Sequence, residues 1–357
     1  MKVLQDMENF DEYTQQTEPN KREKAQVWKT AIGLQQVDGL KPSDYLIATA
    51  KQNIEGDITI EEVKQLIDSY YKQHAVKDTE NRTEEADKVS ARIAQILGEK
   101  TFAFSPAEYL TIHRRLFQDI YSHAGKIRDY NISKQEWVLN GETVLYASSE
   151  SLKATMEYDF RQEKQFSYRG LNLTEIVQHI ADFVSGLWQI HPFGEGNTRT
   201  TAVFTIKYLR TFGFEVNNSL FEEHSWYFRN ALVRANFNNI TKNIHATKEY
   251  LLRFFSNLLL GENQILNNRE MLVNFQSTQN IANNSPKSKY CTLDCTLEER
   301  FVLDFLKTNP KATQKDIAIN IKKSERTVKT ITINLQQKNL LERKNGKRNG
   351  FWVVKNN

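Results

Sequence analysis

The segment HPFGEGNTRT, His191 to Thr200, sets a histidine, a carboxylate, an amide and a guanidinium close together with two glycines among them. Glycines let a backbone approach a ligand closely, and the free amides at a helix start bind anions. Arg199 adds a planar fork suited to phosphate oxygens. Glu195 would repel a bare phosphate, so its presence makes sense when a divalent cation lies between carboxylate and phosphate. Asn197 either orients the phosphate or caps the helix that follows. His191 stands beside this cradle, where an imidazole can take the proton of an attacking hydroxyl. The alternative is a satisfied structural histidine. Two other motifs are excluded. A Walker loop needs Gly-Lys-Ser/Thr and a preceding strand, and a zinc-protease helix needs a second histidine and no Pro192.

The neighbouring elements must hold this loop. LTEIVQHIADFVSGLWQI, Leu173 to Ile190, predicts an amphipathic helix capped by Thr174, stopped by Pro192. TRTTAVFTIKYLRTFGF predicts the second helix, and Phe193 anchors the loop between them in the core. Upstream, FSPAEYLTIHRRLFQDIYSHAG predicts a helix with Leu110, Ile112, Leu116 and Ile120 on related faces, ending near Gly125. Trp137, Val138 and Leu139 precede Asn140-Gly141, and Thr143, Val144 and Leu145 follow, the pattern of a β-hairpin. A lone hairpin either accepts an extended peptide along its edge or covers a helix end. Nearer the N-terminus, one helix runs from about Ser43 to Glu55 and stops at Gly56. The next starts at Thr59, with Glu62 completing a capping box. Glu55 then sits at a helix end, where the plainest reading is a surface carboxylate.

The chain has 357 residues, 39% of them hydrophobic and six of them proline, which fits two or three mainly helical domains. No apolar run is long enough to span a membrane, and the polar N-terminus lacks a signal-peptide core. Cys291 and Cys295, with no second pair or nearby histidine, read as reduced thiols of a cytoplasmic protein. From Lys287 onward there are 16 basic and 7 acidic residues, a net charge of +9, against −5 for the preceding part. This tail, after a linker at 281–290, predicts three helices, started at Thr313 and Ser324 for the second and third, and a hairpin around Asn345-Gly346. That is a winged helix-turn-helix pattern. Lys322, Lys323, Arg326, Lys329, Arg343, Lys344, Lys347 and Arg348 are placed either to meet duplex DNA or to form a solvated face beside a protein contact.

HPFGEGNTR resembles the signature of the Fic family (filamentation induced by cyclic AMP), H-x-F-x-[DE]-G-N-x-R. IHRRLFQDIYSHAGKIRDYNISK is similar to the segment leading into that family's flap hairpin. AKQNIEGDIT resembles its inhibitory motif, [ST]-x-x-x-E-[GN]. The resemblance covers residues 40–260 and implies a helical bundle around two central helices, with AMP transfer from ATP to a protein hydroxyl. By this resemblance His191 is the general base and Glu195 holds Mg²⁺. Gly196, Asn197 and Thr198 line the cradle, and Arg199 holds the β- or γ-phosphate. The hairpin from Lys134 to Tyr146 aligns the target, with Lys134 toward the nucleotide. Phe228, Arg229 and Asn236 contact the nucleotide base, unless the first two simply pack. Glu55 points into the site and blocks the γ-phosphate. Three positions depart from the pattern: Thr198 stands where the family often has Gly, Ala202 where it often has a second arginine, and Lys51 where it has Ser or Thr.

The expected architecture is therefore mainly α: an N-terminal helical region (1–100), a Fic core (101–280) with a β-hairpin flap, and a small winged helix-turn-helix domain (291–357). The expected activity is protein adenylyltransfer with ATP and Mg²⁺, on a Ser, Thr or Tyr hydroxyl of a partner or of the chain itself. Two other readings stand beside it: a DNA-binding regulator whose core senses a nucleotide, and an enzyme transferring another phosphate-bearing group. His191 favours an enzyme, since a sensor needs the cradle but no base.

Overall fold

The computed structural model describes residues 10–14, 18–73, 82–214, 219–273, 297–321, 324–338, 340–344 and 350–355. The expected linker, Cys291, Cys295, Lys322, Lys323, Asn345-Gly346, Lys347, Arg348 and the Arg326 side chain lie outside the description. Among the described residues no helix is long and apolar enough to cross a membrane. By contacts the chain divides into two compact units, Lys2–Gln276 and Ser277–Asn357 apart from Met1, which groups with the second.

The larger unit is helical because its apolar residues recur at helical spacing and polar side chains close the helix ends. Helix α1 (Pro19–Gly33) begins with a proline in its first turn and continues into a 3₁₀ turn, Leu34–Asp38. Helix α2 (Asp44–Glu55) starts where Ser43 Oγ accepts the Leu46 amide at 3.0 Å, and ends at Gly56 in the left-handed region. Helix α3 (Ile60–Gln73) carries the expected capping box. Thr59 N–H donates to Glu62 at 2.7 Å and Glu62 N–H to Thr59 Oγ1 at 3.2 Å. Such caps are worth about 1 kcal/mol each. Helix α4 (Thr83–Gly98) packs between α1, α3 and helix α5 (Pro106–Phe117).

Helix α5 stops at Phe117, well before Gly125. The buried Arg92 guanidinium takes the carbonyls of Leu116 at 3.0 Å and Gln118 at 2.6 Å, and Asp119 adopts φ 61°, so the chain turns there. Helix α6 (Leu152–Gln165) leads to helix α7 (Leu173–Ile190). The α7 cap is Asn172, not Thr174: Asn172 Oδ1 accepts the Glu175 amide and Glu175 returns the bond to the Asn172 amide. Helix α8 (Asn197–Thr211) follows the loop and packs on α5, α7 and α4. Helix α9 (Ser219–Ala235), kinked at His224, lies on α1, and helix α10 (Glu249–Leu260) covers α7 and α9.

The expected flap is a hairpin-shaped loop rather than two paired strands. Glu136 N–H donates to Glu142 O at 2.9 Å, and Trp137–Leu139 form a 3₁₀ turn whose Val138 and Leu139 are buried. Burying successive residues breaks the alternation that a ladder needs.

The smaller unit holds helices α11 (Leu297–Thr308), α12 (Gln314–Ile321) and α13 (Glu325–Gln337) and one antiparallel pair, β1 (Leu341–Lys344) with β2 (Phe351–Val354), in register Leu341 to Val354. Thr313 and Ser324 cap α12 and α13 as expected. Its own core contains Val302, Leu306, Ile317, Val328, Leu335 and Trp352.

Candidate active site

Two helix ends meet at the loop. His191 closes α7 in the left-handed region (φ 51°, ψ 56°), and Gly196 opens α8 at φ 78°. A Cβ at Gly196 would lie 2.3 Å from the buried Phe117 ring at a positive φ, so that position must be glycine; one at Gly194 would lie 2.7 Å from the hydroxyl of the exposed Tyr130, which can move aside. Asn197 folds the loop on itself, accepting from Phe193 N–H at 3.0 Å and donating to Phe193 O at 2.7 Å. Its amide group therefore serves the loop and not a phosphate. The first helical bond of α8 is Thr200 N–H to Gly196 O, which leaves the amides of Asn197, Thr198 and Arg199 without a helical acceptor. Thr198 Oγ1 accepts the Trp188 indole N–H at 3.0 Å, so its hydroxyl faces the bundle and the backbone cradle stays open.

Phe193 is fully buried, stacked on His113 with centroids 3.6 Å apart. His113 Nδ1 accepts the Gly125 amide at 2.8 Å, so Nε2 carries the proton donated to Glu195 O at 3.0 Å. Burial pushes His113 down to about 3, which keeps it neutral in this role. With its carbonyl held, Glu195 turns its half-exposed carboxylate outward to Lys134 Nζ, 2.9 Å away on the flap.

His191 is 3% exposed, with Tyr146 at a ring distance of 4.1 Å on one side and Trp188 at 5.3 Å, edge-on, on another. Nδ1 donates weakly to Trp188 O at 3.4 Å, which leaves the lone pair on Nε2, and Nε2 has no partner. Burial, with Lys134, Arg229 and Arg128 adding positive charge nearby, holds this imidazole well below its ordinary pKa. It is a buried neutral base with a free lone pair.

Arg199 is fully buried and already engaged. It pairs with Glu85 at 2.7 Å and Asp38 at 2.8 Å, donates to Gln35 at 3.0 Å, and lies over the Phe117 ring at 4.7 Å. Burial lowers its pKa, but these anions outweigh burial and raise it. Burial pushes Asp38 up, and Arg199, with Arg229, Lys134 and Arg82 adding to it, more than offsets this and keeps it ionised.

Glu55 is elsewhere. Its carboxylate is 38% exposed, 2.9 Å from Lys21, and hydrogen-bonded to Tyr13; these bonds lower its pKa. Glu55 thus does not point into the site as the resemblance implied: the carboxylates on Arg199 are Asp38 and Glu85. The reason is local, because α2 ends beside α1, which offers Lys21 as the nearest cation.

The α9 residues separate. Phe228 is fully buried among Phe221, Phe254 and Phe255, so it packs and does not face a nucleotide. Arg229 pairs with the buried flap carboxylate Glu136 at 2.7 Å. Asn236 donates to Ser185 Oγ at 3.0 Å and Leu232 O at 2.9 Å, tying α9 to α7. Asp38, Glu85, Glu136, His113 and Arg128 were missed in the sequence. All five lie well away from the loop motif in sequence, no spacing rule joins any of them to it, and only His113, Arg128 and Glu136 fall in segments singled out above.

Among the described residues no group of three or more His, Cys, Asp or Glu could hold a metal. One outward carboxylate, Glu195, beside free backbone amides suits an ion such as Mg²⁺ that keeps waters and takes its remaining oxygens from a phosphate.

Residues 103–209 match the model of the Fic/DOC family. Protein adenylyltransferase VbhT of Bartonella schoenbuchensis is 30% identical over 144 residues, 37% of this chain and 29% of that protein. Probable protein adenylyltransferase y4lH of Sinorhizobium fredii is 32% identical over 134 residues, 36% of this chain and 64% of that protein. The chain thus spans less than two thirds of either relative. A solved Fic family protein from Desulfovibrio desulfuricans G20 aligns over 100% of this chain and 95% of its own at 12% identity, with a TM-score of 0.43, too low to equate the two folds. The matched stretch contains the flap, α7, the loop and most of α8, whereas Asp38, Glu85 and Arg229 lie outside it.

Proposed function

We propose, from the premise that this chain carries a Fic domain, that it is a protein adenylyltransferase. The observation that carries this reading is the buried, unpartnered Nε2 of a neutral His191 beside three free helix amides. The target's Ser, Thr or Tyr hydroxyl gives its proton to Nε2. Its oxygen bonds to the α-phosphorus of ATP, and the bond from that phosphorus to the bridging oxygen breaks, releasing pyrophosphate. The amides of 197–199 receive the phosphate charge, and Lys134 lies at the same mouth. Glu195 would hold Mg²⁺, which supplies charge neutralisation on the phosphates. The base contributes roughly 10²–10⁴-fold, and fixed donors supply the larger share. A phosphate that takes the Nη2 side of Arg199 must displace a carboxylate, whereas Nε has no partner. Asp38, 23% exposed against 7% for Glu85, is the one that yields.

The test is incubation with ATP labelled at the α-phosphate and, in parallel, at the γ-phosphate. Label from the α-position alone on protein supports adenylyl transfer. Label from the γ-position alone means phosphoryl transfer instead, and binding without either label leaves the nucleotide-sensor reading.

We also propose that the smaller unit is a winged helix-turn-helix that contacts duplex DNA. What supports this is three helices ahead of a two-stranded sheet, with Lys329 on α13 and Lys344 on β1 exposed.

A further inference from the structure

Arg128 is 5% exposed, and no carboxylate pairs with it among the described residues. Its guanidinium is spent on backbone carbonyls of three chain segments. Nε donates to His191 O at 2.8 Å, Nη2 to Ala147 O at 2.6 Å, and Nη1 to Tyr130 O. Its own amide donates to Pro192 O at 2.9 Å. Tyr130 precedes the flap, Ala147 follows it, and His191 is the base. Burying a guanidinium without a counter-ion is costly, and burial indeed lowers its pKa. Three carbonyls in a fixed fork compensate, and only arginine has the donors to span them.

The outgoing flap arm is pinned a second time. Gln189, at the end of α7, donates to Leu145 O at 3.1 Å. Leu145 and Ala147 are two apart, so in an extended chain their carbonyls face one way. The Leu145 side chain is 84% exposed, and Tyr146 between them lies against the imidazole. The arm that would meet a target and the ring that bounds the base are one short segment, held to the carbonyl of the base itself. His191 adopts a left-handed conformation that a residue with a Cβ keeps only when its surroundings hold it there. Arg128 and the Pro192 carbonyl are that hold.

We infer that Arg128 is a positioning residue that keeps the flap in register with His191, so that a hydroxyl presented by a target on the flap arrives at Nε2. This rests on the transferase reading for its catalytic consequence, though not for the mechanical coupling. Because the coupling is mechanical, it is measurable without turnover.

The experiment has two arms on the full chain. In wild type, amide hydrogen exchange across increasing denaturant should show residues 133–147 and 191–194 opening as one unit. Separate opening of the two segments overturns the inference, whatever the activity. In the second arm, Arg128→Lys keeps the charge but not the fork. It should speed exchange in both segments and lower the self-labelling rate from α-labelled ATP about thirtyfold, since displacements near 1 Å cost up to ~10²-fold. ATP affinity by calorimetry should stay within about twofold. Unchanged labelling, or ATP affinity falling in step with the rate, assigns Arg128 a general structural role and overturns the positioning. If wild type itself does not label, the transferase reading fails and the exchange arm alone decides the coupling.

Discussion

At the scale of single residues the site depends on protonation and prior pairing. His191 must be neutral to accept a proton, and burial depresses its pKa well below 6.5. Lowering the pH from 8 to 6.5 should therefore leave the self-labelling rate flat; a limb with its midpoint at 6.5 or above would contradict the buried state. His191→Ala should abolish labelling while ATP binding changes little, because the imidazole lies beside the cradle and not in it. Near-normal labelling by that variant would remove the base role. On the proposed reading Asp38 competes with phosphate for Arg199. A pair with one partly exposed partner is worth up to about 1 kcal/mol, so Asp38→Asn should tighten ATP binding about fivefold. Calorimetry giving equal or weaker binding would show that Asp38 does not compete. Glu55 holds Lys21, so Glu55→Gly should change labelling less than about twofold, since a group that touches neither the base nor the cradle has little to alter there. A rise beyond tenfold would place Glu55 in the site after all.

Two buried acids join elements and make stability depend on pH. Asp87 on α4 accepts from the Ser43 amide at 2.8 Å and the Tyr71 hydroxyl at 2.7 Å, tying the start of α2 to α3. Burial outweighs these bonds and pushes it up to about 6. Glu222 on α9 faces Lys29 of α1 at 3.4 Å, and burial raises it to about 7. Both folded-state values lie above the unfolded ones, so folding retains protons. The stability they contribute is fully present below about pH 4 and is lost as pH rises through 6 and 7, on the order of 3 kcal/mol each at most. Thermal unfolding midpoints between pH 4 and 7.5 should fall less steeply in Asp87→Asn and Glu222→Gln than in wild type. Identical slopes would show that neither acid keeps its proton.

Over the whole molecule, the charge difference between the tail and the rest supports the proposal that the smaller unit meets DNA. The full chain should bind duplex DNA with affinity that drops steeply between low and physiological salt, because bound lysines and arginines release counterions. Anisotropy showing no binding at low salt would leave a protein-contact role for the smaller unit.

The amino-acid sequence by itself determined whatever depends on neighbours along the chain. The helix starts at Ser43, Thr59, Thr313 and Ser324, the break at Pro192, the glycines of the loop and the burial of Phe193 all follow from local hydrogen bonding and turn geometry. Thr174 lost the α7 cap to Asn172, two residues away; the other local signals that failed did so because a distant group intervened. Arg92 stopped α5 at Phe117, and burial of Val138 and Leu139 turned an Asn-Gly hairpin into a 3₁₀ turn. Only the tertiary structure decided which charges meet. Glu55 reads as a site residue from its motif, yet a salt bridge goes to the cation that packing brings near, and packing brought Lys21. Arg199 received Asp38 and Glu85 from segments far apart in sequence, and Arg128 received the carbonyls of Ala147 and His191 besides that of nearby Tyr130. A charged group taken out of water must find partners wherever the fold sets them, and no one-dimensional spacing encodes that choice.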